Sequence, residues 1–236
     1  MKKSAMRKSE LYFEELGDRF DSYMSDYDVD RRIELILHRL WPKNTAVRNC
    51  LEVGCGTGRI SRAVYPRVEK LTVCDLSGGL ASSVARTLSC EFSQEDACEL
   101  SFLSDNFDIV VSSECIEHTR SPYQAIEEMI RVTRPGGYIV VTTPNRLWFP
   151  VLQFARLARL RKFDGNEIWL WPLAVKSFLR RKGCLEIKFA GCHLLPWQIP
   201  LIKQVLPVFD RLSCRIFLAM INFGFSARKQ ILSNKI

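Results

Sequence analysis

The chain has 236 residues, 47% of them hydrophobic and 25% charged, which suits one globular domain of α/β size. Its formal net charge of +8 allows an anionic partner, whether nucleic acid, phosphate ester or acidic membrane surface, but does not choose among them. Nine cysteines without a C-x-x-C pair, no signal peptide and no apolar run of membrane-spanning length lead us to expect a cytoplasmic protein with reduced thiols.

Two amphipathic helices are predicted before the first strand. Residues 9–23 carry aromatic residues at helical spacing, as in a helix packed against the domain. We expect Asp28 or Asp30 to cap the second helix. Its apolar stripe consists of Ile33, Ile36, Leu37, Leu40 and Trp41. Arg31 and Arg32 fall in its first turn, where they are either solvated or available to bind the carboxylate of a ligand.

A glycine-rich turn joins the first predicted strand, residues 48–53, to a helix that begins at Arg59. The turn reads Gly54-Cys-Gly-Thr-Gly58, and Glu52 stands two residues before it. Glycine permits positive φ and lets a ligand approach the backbone closely. A dinucleotide fingerprint, G-x-G-x-x-G, would need glycine where Arg59 stands. The turn therefore predicts a ligand crevice at the carboxyl end of the strand, but not a dinucleotide site.

The next two predicted strands end in acidic residues. Strand 70–74 is followed by Asp75, which lies 17 residues beyond Gly58. A carboxylate at this place can accept hydrogen bonds from both hydroxyls of a ribose, and the alternative is that it caps the following helix. Strand 90–94 leads to Asp96, which either contacts the ligand or forms a local Asx turn.

The fourth predicted strand, residues 107–113, is almost continuously apolar, as expected for a central parallel strand buried on both faces. It leads to Glu114-Cys-Ile-Glu-His118. A helix capped by Ser121 follows, then Arg134-Pro-Gly-Gly137 and a fifth strand, 138–142. Strands and helices thus alternate over residues 49–143, which predicts an α/β fold: a parallel sheet with helices on both faces.

The ordered set E-x-G-x-G-x-G, Asp75, Asp96, F-D-x-V-V, E-x-x-E-H and R-P-G-G resembles the class I S-adenosylmethionine-dependent methyltransferases. Within them it is most similar to the ubiquinone-biosynthesis O-methyltransferases. The resemblance implies a Rossmann-like, doubly wound, seven-stranded and mostly parallel sheet whose last strand is antiparallel. It also implies that residues 9–23 fold over the cofactor as a lid. The first and last thirds of the chain match the family only loosely.

S-adenosylmethionine is the cofactor that the resemblance implies. The residues expected to bind it are Glu52, Gly54, Cys55, Gly56, Gly58, Asp75, Leu76, Asp96, Ala97 and Ser113. Among these, Asp96 is expected to accept a hydrogen bond from the adenine amino group, and the backbone N–H of Ala97 to contact a ring nitrogen.

The E-x-x-E-H segment supplies the candidate catalytic residues. If the acceptor is a hydroxyl, a base must remove its proton, and His118 has a suitable ordinary pKa. Glu114 is the second candidate, and the alternative for His118 is a bond to backbone. The resemblance also implies a metal site, in which Glu114, Glu117 and His118 would hold one divalent ion such as Mg²⁺.

We expect three regions in one domain: an N-terminal helical cap (1–45), a cofactor-binding core (46–146), and apolar helical insertions with the last strands (147–236). The last region is predicted to contain a helix at 173–182, a sixth strand at 185–190 and the antiparallel last strand at 228–235. Its apolar segments, 149–163 and 196–225, either roof the acceptor pocket or lie on an anionic membrane surface.

The expected function is methyl transfer from S-adenosylmethionine to a small-molecule or lipid-like (lipid-linked) acceptor, at oxygen. The protein would be cytoplasmic or peripheral at the membrane. The alternatives are an RNA or protein methyltransferase and a non-catalytic cofactor-binding module. No nucleic acid partner is expected, because the segment after the fourth strand lacks an N-P-P-Y-like sequence and the basic residues do not form a stripe with stacking aromatics. The oligomeric state stays open.

Overall fold

The computed structural model describes residues 25–43, 45–151, 167–194 and 216–231. The predicted helix at 9–23 and most of the two apolar segments of the last third lie outside these residues. The strands are β1 (Asn49–Val53), β2 (Lys70–Asp75), β3 (Glu91–Gln94), β4 (Phe107–Ser113), β5 (Thr133–Pro144), β6 (Leu185–Cys192) and β7 (Asn222–Arg228). The α-helices are α1 (Asp26–Glu34), α2 (Arg59–Val64), α3 (Gly78–Leu88), α4 (Pro122–Val132) and α5 (Pro172–Arg181).

The seven strands form one sheet in the order β3-β2-β1-β4-β5-β7-β6. The pairs from β3 through β5 are parallel, whereas β7 runs antiparallel to both β5 and β6. This arrangement confirms the predicted doubly wound sheet with an antiparallel last strand. The strand order reverses direction beside β1, and the crevice at such a switch point is where open α/β sheets bind ligands.

The two faces of the sheet are covered by different helices. On one face, Ile126 and Met129 of α4 and Val175 of α5 pack in the same cluster as Leu51. The opposite cluster takes its helical residues from the π-helical continuation of α1, Leu35–Leu40, and from α2 and α3, and Ile33 of α1 packs against it. Neighbouring residues of β1 and β4 alternate between the two clusters, because successive side chains of a strand point to opposite faces. The central strands are apolar throughout for this reason.

Helix α1 begins at Asp26, before either predicted cap. Ser25 is its N-cap, and Asp28 lies inside the helix. The prediction that Asp28 or Asp30 caps the helix was therefore wrong. Asp28 instead pairs with Arg32, and Arg32 is 4% exposed, so the solvated alternative for this arginine does not hold.

The last strand lies earlier in the chain than predicted. The sequence favoured residues 228–235, whereas β7 spans Asn222–Arg228 and pairs with residues 138–144 of β5. Phe223 and Phe225 alternate along it and are fully buried against α4 and α5. Alternation within a segment rich in large apolar residues is hard to distinguish from a buried helix, which explains the error.

Strand β5 also differs from its prediction, because it begins at Thr133 and includes the R-P-G-G segment. The predicted sixth strand is confirmed and extends to Cys192, and the predicted helix at 173–182 corresponds to α5. No helix in the described part of the chain combines the length and the apolar character needed to cross a bilayer.

Candidate cofactor and methyl-transfer site

A cleft opens at the carboxyl ends of β1, β2 and β4. Its empty volume is about 1230 Å³ including the open mouth, and it is lined by residues from the turns that follow these strands. All the predicted cofactor residues except Gly58 line it, as do Glu114 and His118. Lining residues that sequence reasoning did not assign to the site include Thr57, Arg59, Leu80, Glu95, Cys115, Thr119 and Arg120.

The three glycines of the turn all have positive φ, but they serve different ends. A Cβ at Gly56 would meet nothing within 4 Å, so its backbone is open to the cleft. A Cβ at Gly54 would lie 2.6 Å from Cβ of Cys115. A Cβ at Gly58 would lie 2.8 Å from Cγ2 of Val84, which belongs to α3. The absence of a side chain at Gly58 therefore permits α2 to pack on α3. Gly58 was predicted to bind the cofactor, but it does not line the cleft.

Asp75 is tied to the glycine turn. Its Oδ2 accepts a hydrogen bond from the backbone N–H of Gly56 at 2.9 Å, and its Oδ1 accepts one from Ser77 N–H at 2.9 Å. The cap of α3 is Ser77, whose Oγ accepts from Leu80 N–H, so the alternative role of Asp75 as a helix cap does not apply. Burial raises the pKa of Asp75 more than these hydrogen bonds lower it. Each carboxylate oxygen retains a further lone pair for a ligand hydroxyl.

Asp96 forms the local turn that the sequence left open, and it also lines the cleft. Its Oδ1 accepts from Cys98 N–H at 2.8 Å, which is an Asx turn. Its Oδ2 lies 3.6 Å from Nη1 of Arg120. Both residues line the cleft, together with buried Ala97. The local turn thus orients the carboxylate without removing it from the cleft.

Glu52 is a buried carboxyl group in the wall of the cleft, with 2% of its surface exposed. Its Oε2 has no hydrogen-bond partner among the described residues. Burial raises the pKa of Glu52 to about 8. An isolated buried carboxylate is costly, and a cationic ligand group beside it would lower that cost.

The E-x-x-E-H segment does not converge on one point. Glu114 has φ +50°, and its Oε2 accepts from Nδ2 of Asn222 at 2.6 Å. Glu117 is 1% exposed, accepts from Thr143 Oγ1 at 3.1 Å and does not line the cleft. The described residues contain no group of three His, Cys, Asp or Glu side chains arranged to hold a metal ion. The predicted metal site of Glu114, Glu117 and His118 is therefore not supported.

Arg32 brings a buried positive charge to the cleft from α1. Its Nη2 lies 2.7 Å from Oδ2 of Asp28, and Oδ1 of Asp28 lies 3.0 Å from Nε2 of His193. Burial disfavours the charged guanidinium, but Asp28 and Glu114 outweigh it and raise the pKa of Arg32. The i, i+4 spacing of Asp28 and Arg32 would have allowed the ion pair to be predicted from the sequence, whereas the burial of the pair could not be predicted in this way.

The chemistry of the cleft suits S-adenosylmethionine, which carries a ribose, an adenine and two cationic centres. The open backbone at Gly56, the carboxylates of Asp75 and Asp96 and the unpartnered oxygen of Glu52 are the complementary groups. Together with the strand order, they resemble the cofactor-binding fold of the class I methyltransferases.

Comparison with known proteins agrees with this assignment. Residues 51–141 match the family described as a methyltransferase domain. Over these residues the match confirms the resemblance to the class I S-adenosylmethionine-dependent methyltransferases that the motifs indicated.

Two curated relatives and one solved structure illustrate the similarity. The chain is 32% identical over 120 residues to a Mycolicibacterium smegmatis protein named as a probable S-adenosylmethionine-dependent methyltransferase, covering 50% of this chain and 46% of that protein. It is 31% identical over 156 residues to the ubiquinone/menaquinone biosynthesis C-methyltransferase UbiE of Roseobacter denitrificans, covering 58% and 61%. The chain thus spans about half to three-fifths of the length of these relatives.

The solved structure is a Haloferax volcanii complex between the Trm112 methyltransferase activator and a methyltransferase. It superimposes with a TM-score of 0.71 at 14% sequence identity, over 97% of this chain and 100% of that one. At this identity the likeness is one of fold.

Proposed function

We propose that this protein transfers a methyl group from S-adenosylmethionine to a small-molecule or lipid-like acceptor, in the cytoplasm or at a membrane surface. The observation that carries the proposal is the Gly56–Asp75 pair, in which a ligand-accessible backbone and a carboxylate are joined at the switch point of the sheet. When bound, the cofactor supplies a methyl carbon already activated by a positive sulfur.

Different residues of the cleft would bind different parts of the cofactor. Asp75 would accept from the ribose hydroxyls, and Asp96 from the adenine amino group, with the N–H of Ala97 at a ring nitrogen. Glu52 would lie against a cationic group of the cofactor. Orientation is the main requirement for an in-line displacement, and a well-oriented pair can gain about 7–11 kcal/mol relative to free reactants.

For a hydroxyl acceptor, the proton-accepting candidates are Glu114 and His118, which both line the cleft. Burial raises the pKa of Glu114 to about 7 even though Arg32 opposes the rise, and this value suits a base at neutral pH. Methylation at oxygen follows from the motif resemblance. The UbiE relative is named as a C-methyltransferase, so transfer to carbon is the competing outcome.

An apolar acceptor is supported by side chains beyond the carboxyl end of β5. Leu147, Trp171 and Leu218 are 49%, 50% and 45% exposed. Buried Asn145 connects their segments: its Nδ2 donates to the carbonyl of Leu218, its Oδ1 accepts from Leu147 N–H, and it forms a bridge with Leu170, the neighbour of Trp171. The carboxyl end of β5, which Asn145 follows, is on the edge of the sheet at which the cleft opens.

The test of cofactor binding is calorimetry with S-adenosylmethionine and S-adenosylhomocysteine on the wild-type protein and Gly56→Val. The valine would place its side chain in the open space beside the turn and strain a backbone with φ +51°, so binding should be lost while the melting transition remains. Wild-type affinity in the folded variant would overturn the assignment.

Labelled methyl transfer tests the acceptor class. The protein and methyl-labelled S-adenosylmethionine are incubated with a lipid extract, a polar small-molecule extract, RNA and total protein. Label in the lipid or small-molecule fraction supports the proposal. Label confined to RNA or protein would favour a macromolecular methyltransferase, and cofactor binding without transfer to any fraction would favour a binding module.

The vesicle test addresses the membrane surface. Cosedimentation with anionic vesicles that weakens at raised salt would support peripheral attachment, because surface charge interactions are screened within about 10 Å at 0.1 M salt. Protein that stays in the supernatant at low salt would exclude it.

A further inference from the structure

We propose that Arg120 is a positioning residue that fixes the carboxylate of Asp96, so that Asp96 selects a purine with an exocyclic amino group. The inference rests on the proposed function, in which Asp96 accepts a hydrogen bond from the adenine of S-adenosylmethionine. It assigns a role to Arg120, which lines the cleft but belongs to none of the motifs that predicted the site.

Both oxygens of the Asp96 carboxylate have a partner in the protein. Oδ1 accepts from the backbone N–H of Cys98 at 2.8 Å, and Oδ2 lies 3.6 Å from Nη1 of Arg120. The side chain of Asp96 is nevertheless 37% exposed, and the residue lines the cleft. One anchor at each oxygen restricts rotation of the carboxylate, while each oxygen keeps a further lone pair for a donor on a ligand.

The backbone of Arg120 is held on both sides. Before it, the hydroxyl of Thr119 donates to the carbonyl of Ile116 at 2.7 Å. After it, Ser121 caps α4 and accepts from the N–H of Gln124 at 3.4 Å. The guanidinium therefore extends from a fixed point between the turn that follows β4 and helix α4.

The guanidinium of Arg120 joins this fixed point to the turn that contains Asp96. Its Nη2 donates to the carbonyl of Cys98 at 3.5 Å and lies 3.5 Å from Oε2 of Glu99. The same Cys98 carbonyl accepts from Nε2 of Gln124 at 2.9 Å. The N–H of Glu99 closes the turn by donating to the carbonyl of Asp96 at 2.8 Å. The planar, fork-shaped guanidinium thus orients the Asp96 carboxylate and the backbone of its turn together.

The stability of the fold does not account for this arrangement. The side chain of Arg120 is 33% exposed, and ion pairs between partly exposed side chains contribute little to the free energy of unfolding. The property that Arg120 can change most is the orientation of Asp96 towards a ligand. For the same reason, we expect variants at Arg120 to fold.

The orientation of Asp96 decides how strongly a purine is selected. An ionised carboxylate only accepts hydrogen bonds. It can accept from the amino group of adenine, whereas it would meet the carbonyl oxygen of hypoxanthine as two acceptors without a proton between them. A site that holds such a group in place rejects the analogue that lacks the donor. Without Arg120, only Oδ1 stays anchored, and the carboxylate can turn away from the carbonyl.

The experiment compares two ligands that differ only in the purine: S-adenosylhomocysteine and its deaminated form, S-inosylhomocysteine. Calorimetry gives both dissociation constants at one pH near neutrality, and no acceptor is needed. The wild type should bind S-adenosylhomocysteine about 10- to 100-fold more tightly. Arg120→Met should lower this ratio at least about threefold, because the carboxylate is then less ordered. Arg120→Lys keeps a cation beside Asp96 and should recover part of the ratio.

Two further variants complete the set. Asp96→Asn keeps an oxygen that can accept from the N–H of Cys98 and adds an amide N–H that can donate to a carbonyl, so it should bring the two affinities close together. Arg228→Met is the matched control. Arg228 pairs with Glu186 at 2.7 Å, has a side chain that is 34% exposed and does not line the cleft. This variant should keep the wild-type ratio.

The outcomes are distinct. A wild-type ratio in folded Arg120→Met would overturn the inference, even if both affinities fall, because a merely structural role weakens both ligands equally. A ratio in Arg120→Lys no higher than in Arg120→Met would also overturn it. If Arg120→Met does not fold, a wild-type ratio in Asp96→Asn has the same consequence. Equal affinities in the wild type would overturn the inference and leave the proposed methyl transfer intact, whereas failure to bind both S-adenosylhomocysteine and S-adenosylmethionine would contradict the proposed function.

Discussion

The backbone N–H of Gly56 donates a hydrogen bond to Oδ2 of Asp75 at 2.9 Å, joining the turn after β1 to the tip of β2. The two residues are 19 positions apart in the chain. This bond orients a carboxylate beside the one glycine of the turn whose missing side chain leaves open space. The cofactor site is thereby organised before a ligand binds.

Replacing Asp75 tests this relationship. Asp75→Ala should weaken S-adenosylmethionine binding by about 1–3 kcal/mol, because the ribose hydroxyls lose their acceptor in a buried place. Calorimetry gives the change directly. The control is Asp105→Ala, which removes an exposed ion pair with Lys229 away from the cleft and should leave the affinity unchanged. Equal affinities for the Asp75 variant and the wild type would contradict the ribose role.

Gly54 and Cys115 should be coupled in stability. A Cβ at Gly54 would lie 2.6 Å from Cβ of Cys115, so Gly54→Ala should destabilise the fold by about 1–3 kcal/mol through overpacking, with added strain from φ +76°. The double variant Gly54→Ala with Cys115→Gly should regain the stability lost to overpacking, but not the stability lost to backbone strain at position 54. Denaturant unfolding of both single variants and the double variant measures the coupling. Strict additivity would show that the two residues do not compete for the same space.

Glu52 should make stability depend on pH. Its folded-state pKa of about 8 exceeds the ordinary 4.5, so the folded state binds more protons than the unfolded state between these values. The free energy of unfolding should therefore fall as pH rises through this window, by roughly 5 kcal/mol at most for this group alone. Glu52→Gln should remove that slope, measured as unfolding free energy at several pH values. An identical slope in the variant would contradict the burial of an unpaired carboxyl group.

Two neighbouring arginines of α1 should differ sharply in how much they contribute to the free energy of unfolding. Arg32→Met leaves Asp28 buried without its cation and should cost about 3–5 kcal/mol of stability. Arg31→Met, the matched control, removes a partly exposed pair with Glu34 and should cost about 0.5 kcal/mol. Asp28→Asn combined with Arg32→Met should recover much of the loss. Denaturant unfolding measures all of these variants, and equal costs for the two single arginine variants would show that Arg32 is not effectively buried.

The motifs allowed a detailed expectation of the cofactor side of the cleft. The glycine turn, Asp75 and Asp96 each follow a strand, and turns that follow parallel strands meet at one edge of the sheet. Their relative placement was predictable because it depends on strand–turn–helix units that are local in the chain. Gly58 does not line the cleft, because the same positive φ that can allow ligand approach here serves helix packing on Val84.

The sequence by itself thus determined the alternating strands and helices, the crevice and the residues at the strand tips, since these follow from periodicity and turn chemistry within short segments. The tertiary structure alone decided that β7 inserts between β5 and β6, which brings Asn222 to Glu114 across 108 positions. It also decided that Arg32 is buried on Asp28 and that Glu117 turns to Thr143 and away from the cleft. Such contacts depend on which faces of distant elements pack together, and burial then sets the charge of each carboxyl group.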